Sequence, residues 1–144
     1  MNNEIKTILL ASGRGRRLYP ETDKVPKALV KITDKTILDY FLNSALKVCA
    51  KENIIIATGH NYECFENLGL NCIFNPFYSK TNMLFGLWYT LSKMPKLDSG
   101  LIVSYADILF PEETLEEIIQ SNKITIMSDK NWEKRYTGRT DHNQ

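Results

Sequence analysis

A segment near the amino terminus combines two glycines with a cluster of basic side chains. Residues 11–17 have the sequence Ala-Ser-Gly-Arg-Gly-Arg-Arg, in which one arginine separates Gly13 from Gly15, and Lys24 and Lys27 follow. Glycine lacks the Cβ atom that would keep backbone N–H groups away from a phosphate. Guanidinium groups bind phosphate oxygens in a two-pronged geometry, and lysine supplies a compact positive charge. The combination predicts a site for a triphosphate, and a tight turn with a solvated basic face is the structural alternative.

Two familiar phosphate-binding motifs do not fit this spacing. A Walker loop ends in Gly-Lys followed by serine or threonine, and a dinucleotide-binding fingerprint needs a third glycine where this sequence has Leu18. The two histidines, His60 and His142, lack the spacing of metal ligands, which leaves a histidine-centred mechanism little support. The basic loop therefore matches neither of these two phosphate-binding motifs.

A single aspartate, Asp107, follows the apolar run Leu101–Tyr105. Taken alone, it is well explained as a side-chain cap for the turn after a strand. Its position favours another role, because the basic loop also follows a strand and the carboxyl ends of parallel strands share one sheet edge. Mg²⁺ usually binds one or two protein carboxylates and takes its other ligands from phosphate and water. We therefore predict that Asp107 is a metal ligand.

The elements that must position these residues are short apolar strands alternating with amphipathic helices. Strands are predicted at residues 5–11, 53–58, 72–75, 101–105 and 123–127, and helices at residues 36–48, 82–91 and 111–119. A short extended piece is expected at residues 28–32. One face of the second helix can combine Leu84, Leu87, Trp88 and Leu91. The alternation predicts an α/β fold with a mainly parallel sheet, helices on both faces, and ligands beyond the carboxyl ends of the strands.

Length and composition fit one globular domain spanning residues 1–144, with 43% hydrophobic and 24% charged residues. A net charge of +1 gives no field suited to a nucleic acid or a membrane surface, so we expect neither as a partner. The sequence has no membrane-spanning run and no signal-peptide pattern, and its three cysteines form no C-x-x-C pair. We expect a cytoplasmic protein with reduced, mostly buried thiols. An exposed sheet edge would favour association with a second copy.

Two segments carry a resemblance to a known family. Residues 9–22, Leu-Leu-Ala-Ser-Gly-Arg-Gly-Arg-Arg-Leu-Tyr-Pro-Glu-Thr, and residues 25–30, Val-Pro-Lys-Ala-Leu-Val, resemble the signature of sugar-phosphate and other MobA-like nucleotidyltransferases. The glycines, the second arginine of the Arg16-Arg17 pair, both prolines, the threonine and the Pro-Lys pair all match that signature in register. Residues 74–78 with Thr81 and Asn82, and residues 103–110 around Asp107, are similar to the phosphocholine cytidylyltransferase branch.

The resemblance implies a Rossmann-like nucleotidyltransferase core that uses Mg²⁺ and a nucleoside triphosphate, with CTP favoured. A phosphate oxygen of a small acceptor such as phosphocholine would attack the α-phosphate, and pyrophosphate would leave. In such a family Arg17 holds the triphosphate, Lys27 stabilises charge at the α-phosphate and Asp107 binds the metal. The expected nucleotide-binding residues are Leu10, Ala11, Ser12, Gly13, Arg14, Gly15, Arg16 and Asn82. For Asn82, capping of the following helix is an equally good explanation.

The sequence also departs from the family pattern. Ser12 occupies a position where a second alanine is usual, and Arg16 one where a small hydroxyl residue is common. Family members continue further, through strands that carry a second metal-binding aspartate and much of the acceptor pocket. The resemblance thus implies the amino-terminal part of a nucleotidyltransferase domain. A sugar-1-phosphate nucleotidyltransferase and a non-catalytic nucleotide-binding module are the alternatives.

Overall fold

A four-stranded parallel sheet forms the centre of the protein. The structure is a computed structural model that describes residues 5–97 and 100–135. Strands β1 (Lys6–Leu10), β4 (Ile54–Thr58), β5 (Asn71–Phe74) and β6 (Leu101–Tyr105) form the sheet in the order β5-β4-β1-β6. Strands β2 (Lys31–Ile32) and β3 (Lys35–Thr36) form a separate antiparallel pair. Because all four central strands run the same way, the loops that follow them leave the sheet at one edge.

Four helices accompany the sheet in the described residues: α1 (Ile37–Val48), α2 (Met83–Lys93), α3 (Thr114–Ile118) and α4 (Trp132–Arg135). Short 3-10 turns occupy Arg16–Leu18, Lys27–Leu29, Lys51–Asn53 and Tyr62–Leu68. A capping box starts α1: the Asp39 N–H donates to Thr36 Oγ1 at 3.0 Å, and the Thr36 N–H donates to Asp39 Oδ2 at 2.8 Å. The cap satisfies backbone donors that would otherwise lack partners at the helix start.

Helices cover both faces of the sheet, as the sequence predicts. Successive strand residues point to opposite faces, so Leu9 packs in one cluster with Phe41 of α1, while Ile8 lies in another. The second cluster also contains Leu87 and Leu91 of α2. The α/β class with a mainly parallel sheet is therefore confirmed.

The strand expected at residues 123–127 is wrong. This segment forms no strand, and its Ile124 and Ile126 side chains are 98% and 85% exposed. Its alternating pattern is typical of a strand, but a strand also needs a partner for its backbone groups. Within the described residues no other segment pairs with it, and β6 is paired on the β1 side only.

Smaller differences concern helix faces and ends. Leu84 and Trp88 are 74% and 60% exposed, because the buried side of α2 is centred on Gly86 and Thr90 instead. Residues 28 and 29 of the expected extended piece belong to the 3-10 turn Lys27–Leu29, and the helix predicted at residues 111–119 shortens to α3. No helix in the described ranges is long and apolar enough to cross a bilayer.

The expectation of mostly buried thiols is also wrong. Cys49 is buried, whereas Cys64 and Cys72 are exposed, and all three are free. Cys72 lies on β5, at one border of the described sheet, where every side chain is exposed or half-buried.

Candidate functional site

A cleft of about 420 Å³ opens at the carboxyl edge of the sheet. The loop after β1, the turn before α2 and the loop after β6 converge there. Every site residue expected from the sequence lines this cleft except Arg14: Leu10, Ala11, Ser12, Gly13, Gly15, Arg16, Arg17, Lys27, Asn82 and Asp107. The fold therefore gathers residues that are far apart in the chain.

Gly15 shapes the basic loop. Its φ of +62° lies in the left-handed region, and a Cβ atom here would sit 3.0 Å from Thr22 Cγ2 and 3.2 Å from Lys27 Cβ. The Thr22 hydroxyl, itself buried, donates to the Gly15 carbonyl oxygen at 2.9 Å. The close approach fixes the loop against the segment that carries Lys27.

Gly13 has a different environment. Nothing lies within 4 Å of the position that its Cβ would occupy, and its φ is not positive. Packing and backbone conformation therefore do not require glycine at this position. Because Gly13 lines the cleft, its missing side chain leaves the loop backbone open to a bound group.

Lys27 and Asp107 meet across the cleft. The Lys27 Nζ atom donates to Asp107 Oδ2 at 2.6 Å, and the side chains are 23% and 40% exposed. The Ala106 N–H donates to the Leu10 carbonyl oxygen at 3.2 Å, which ties the Asp107 segment to the end of β1. The cation and the carboxylate therefore share the entrance to one cleft and remain accessible to solvent.

The three loop arginines are exposed, but they do not all face the same region. Arg16 and Arg17 line the cleft and form the 3-10 turn after Gly15, whereas Arg14 does not line it. No carboxylate in the described part of the chain forms an ion pair with any of them. Arg16 and Arg17 thus add positive charge on the side of the cleft that holds Lys27.

Asn82 is the amino-terminal cap of α2. Its Oδ1 atom accepts a hydrogen bond from the Phe85 N–H at 3.0 Å. The capping explanation is therefore correct, but the residue also lines the cleft. The cap uses the side-chain oxygen, so the amide nitrogen can still donate to a ligand.

The donor set fits a metal ion shared with a ligand. Asp107 contributes one carboxylate, and the described residues contain no group of three or more His, Cys, Asp or Glu side chains able to hold a metal. Mg²⁺ commonly uses only one or two carboxylates and keeps water or phosphate oxygens as its other ligands. Asp107 could hold Mg²⁺ in this way once a phosphate is bound nearby.

Sequence reasoning missed six further residues of the cleft: Ala28, Tyr78, Thr81, Met83, Tyr105 and Ala106. Most of them neighbour residues that were expected, since Ala28 follows Lys27 and Ala106 precedes Asp107. Tyr78 is different, because it reaches the cleft through the turn after β5. Its position beyond the end of a predicted strand was the available signal.

The parallel sheet, the open glycine loop and the lysine–aspartate pair at one edge define a nucleotide-binding α/β domain. The family description "MobA-like NTP transferase domain" matches residues 7–132. This chain belongs to that family.

Several cytidylyltransferases are similar to this chain in sequence or structure. A CTP:phosphoglutamine cytidylyltransferase of Campylobacter jejuni is 32% identical over 145 residues, covering 94% of this chain and 56% of the relative. A choline-phosphate cytidylyltransferase of Streptococcus pneumoniae is 29% identical over 126 residues, covering 85% of this chain and 53% of the relative. The solved structure of a CTP:phosphocholine cytidylyltransferase from Streptococcus pneumoniae superposes with a TM-score of 0.61 at 30% identity, over 72% of this chain and 45% of that structure. The chain thus spans about half the length of the curated relatives it matches.

Proposed function

We propose that this chain is the nucleotide-binding part of a cytidylyltransferase. It would transfer CMP from CTP to a small phosphate monoester such as phosphocholine and release pyrophosphate. One observation carries the proposal: Lys27 and Asp107 lie 2.6 Å apart in the same cleft as an open glycine loop. The preference for CTP rests on the two cytidylyltransferases to which the chain is similar.

The phosphate end of the cleft is proposed to hold the triphosphate. Backbone N–H groups of residues 13–16 would contact phosphate oxygens, because Gly13 presents no side chain in their path. The guanidinium groups of Arg16 and Arg17 would neutralise the outer phosphates. Arg14 lies outside the cleft, so we assign it no direct contact.

The reaction requires no nucleophilic side chain. An oxygen of the acceptor phosphate would attack the α-phosphorus and form the new P–O bond, while the bond from that phosphorus to the bridging oxygen breaks. Both electrons of the broken bond leave with pyrophosphate. In-line phosphoryl chemistry depends chiefly on positioning and on charge stabilisation, which the basic loop and Lys27 are placed to provide.

Lys27 is the group that we assign to the reacting phosphate. Its ammonium donates to Asp107 Oδ2 in the cleft, and its Cβ lies 3.2 Å from the position that a Cβ on Gly15 would occupy. Positive charge at this place would stabilise the charge that develops on the α-phosphate oxygens. Mg²⁺ held by Asp107 and phosphate oxygens would neutralise further negative charge on the triphosphate.

The nucleoside would occupy the other end of the cleft. We assign to that end the main-chain groups of Leu10, Ala11 and Gly13, which are residues of the cleft lining, and the Asn82 amide nitrogen, which is available to a pyrimidine edge. We propose that the protein functions in the cytoplasm, without nucleic-acid or membrane partners. We also propose that two copies associate through the open edge of the sheet. All three cysteines are free, in keeping with that compartment.

Two alternatives remain for the test. The first is transfer to a sugar 1-phosphate from another nucleotide, because the loop signature is common to that branch. The second is a non-catalytic nucleotide-binding module, because the chain spans only about half of its relatives.

The deciding experiment measures pyrophosphate release and binding together. Each of CTP, UTP, GTP and ATP is incubated with the chain, Mg²⁺, and either phosphocholine or glucose 1-phosphate, and calorimetry gives the dissociation constants. Release only with CTP and phosphocholine supports the proposal, and release with glucose 1-phosphate supports the first alternative. Triphosphate binding without release overturns catalysis by this chain alone. Absence of any binding overturns the nucleotide site itself.

A further inference from the structure

Gly59 lies next to two segments of the cleft, and the neighbouring atoms leave no space for a side chain on it. It follows β4 directly, and a Cβ atom on it would lie 2.6 Å from the Ser12 carbonyl oxygen. The same atom would lie 2.8 Å from Ser12 Cβ and 2.7 Å from Tyr78 Cβ. Two of these three neighbours are the first side-chain carbons of their residues and one is backbone, so rotation of a side chain relieves none of the contacts.

The requirement for glycine here is steric. Gly59 is absent from the described residues with positive φ, so its backbone conformation is open to any amino acid. A side chain is excluded because the segments that contain Ser12 and Tyr78 both lie too close to Gly59. Ser12 and Tyr78 both line the cleft, whereas Gly59 does not.

Hydrogen bonds hold both segments against Gly59. The His60 N–H donates to the Ser12 carbonyl oxygen at 3.2 Å, continuing the pairing between the ends of β1 and β4. On the other side, the Asn75 N–H donates to the Thr58 carbonyl oxygen at 3.0 Å. Asn75 is 1% exposed, and its Oδ1 atom accepts from the Phe77 N–H at 2.9 Å. The turn that contains Tyr78 and the loop that contains Ser12 are therefore both hydrogen-bonded to the chain at the end of β4.

We infer that Gly59 is a positioning residue, which sets the separation of Ser12 and Tyr78 and therefore the width of the nucleoside end of the cleft. This inference rests on the proposed function, in which the base lies beside the loop after β1. We assign the phosphate end of the cleft to Gly15, Arg17 and Lys27, and the three atoms nearest to a Cβ on Gly59 belong to none of these residues. A change at Gly59 should therefore act on the nucleoside more than on the phosphates.

Two other glycines provide matched controls for adding one methyl group. A Cβ at Gly100 would meet its nearest atom, Ile5 Cγ1, at 3.7 Å, an ordinary contact at the opposite end of the sheet. A Cβ at Gly86 would lie 3.7 Å from Ser12 Oγ and 3.8 Å from Asn75 Nδ2, so it touches the same two segments without overlap. Of these three glycines, only Gly59 combines contact with the cleft segments and a steric conflict.

The test measures binding of CTP and of inorganic tripolyphosphate to Gly59→Ala, Gly86→Ala, Gly100→Ala and the unmodified chain. We expect Gly59→Ala to weaken CTP binding by about tenfold or more, because displacements near 1 Å at a binding site have effects of this size. Tripolyphosphate binding should change by less than about threefold, and both control variants should match the unmodified chain within about twofold. A merely structural role would weaken both ligands alike, so equal losses overturn the inference.

A second measurement uses the unmodified chain, so it tests the inference even if Gly59→Ala does not fold. Hydrogen exchange is followed at the His60 amide, which is bonded to Ser12 but does not line the cleft. Saturating CTP should slow this exchange, because fixing Ser12 stabilises its contact with the segment at Gly59. Unchanged exchange at His60 under saturation overturns the inference. If the unmodified chain binds neither CTP nor tripolyphosphate, the proposed function fails and this inference with it.

Discussion

Lys27 Nζ lies 2.6 Å from Asp107 Oδ2, although the two residues are 80 positions apart in the chain. The pair joins the 3-10 turn Lys27–Leu29 to the loop after β6 across the cleft. Both side chains are partly exposed, and such pairs contribute only about 0–1 kcal/mol to the free energy of unfolding. A bound triphosphate and a cation can therefore replace the two partners at small cost.

Replacing Lys27 by alanine should separate function from stability. Turnover, or triphosphate affinity if the chain is non-catalytic, should fall by about 10²–10³-fold, the usual effect of losing a charge that stabilises the reacting group. The midpoint of urea unfolding should move little, because the pair with Asp107 is exposed. Lys24→Ala is the control, since Lys24 belongs to the same basic segment but does not line the cleft. Equal losses in the two variants would contradict the assignment.

The arginines of the loop should differ in their effects. Arg17→Ala should weaken triphosphate binding by about 10- to 150-fold, because a charge-assisted pair is worth about 1.5–3 kcal/mol. Arg14→Ala should change the dissociation constant by less than about twofold, since Arg14 lies outside the cleft. Calorimetry at constant ionic strength measures both values. If Arg14 proved as important as Arg17, the loop would have to bind phosphate in another arrangement.

The two loop glycines should also behave in opposite ways. Gly15→Ala should lower the free energy of unfolding by about 1–2 kcal/mol, because alanine is strained at a φ of +62°. Gly13→Ala should leave that free energy nearly unchanged, since its new methyl group meets no atom within 4 Å. It should nevertheless weaken triphosphate binding, because the methyl group keeps phosphate away from the backbone. Urea titration and calorimetry on both variants, with Gly100→Ala as the control, measure the difference. If Gly13→Ala lost stability but kept its triphosphate affinity, the roles assigned to the two glycines would be reversed.

Much of the fold follows from local sequence. The strand from Lys6 to Leu10 is buried on both faces, so its apolar run predicts a central parallel strand without long-range information. Residues that follow such strands collect at one edge, and this geometry alone brings Asp107 towards the basic loop. The position of the cleft was therefore predictable from the pattern.

The features that the sequence did not predict depend on contacts between segments that are distant in the chain. Tyr78 reaches the cleft because Gly59 allows its turn to approach Ser12, and no local pattern encodes that approach. Trp88 lies on the predicted apolar face of the second helix, yet the small residues Gly86 and Thr90 form the buried side of α2. Close packing of small residues leaves no apolar signal in a sequence, so the helix face was assigned to the larger side chains.

Asp107 is predicted to determine the metal dependence. In the unmodified chain, Mg²⁺ should strengthen CTP binding, and chelation with EDTA should reverse the gain. Asp107→Asn should abolish most of this dependence, because a neutral amide replaces the carboxylate that Mg²⁺ prefers. Asp23→Asn removes a carboxylate from the segment between the basic loop and Lys27 without altering a cleft residue, and it should keep the full response. A full Mg²⁺ response in Asp107→Asn would place the metal elsewhere.

Cys49 should contribute to the pH dependence of stability at alkaline pH. Burial raises the pKa of its thiol, and a hydrogen bond with the Thr7 hydroxyl at 3.3 Å offsets this only in part. Because the folded pKa lies above the unfolded one, the protonated thiol stabilises the fold fully below the unfolded pKa, and this contribution is lost as pH rises towards the folded value. The unfolding temperature should therefore fall more steeply above about pH 8.5 in the unmodified chain than in Cys49→Ala. Cys64→Ala, in which an exposed thiol is removed, should keep the steep slope. Identical slopes for all three proteins between neutral and alkaline pH would show that Cys49 ionises as readily in the folded chain as in the unfolded one.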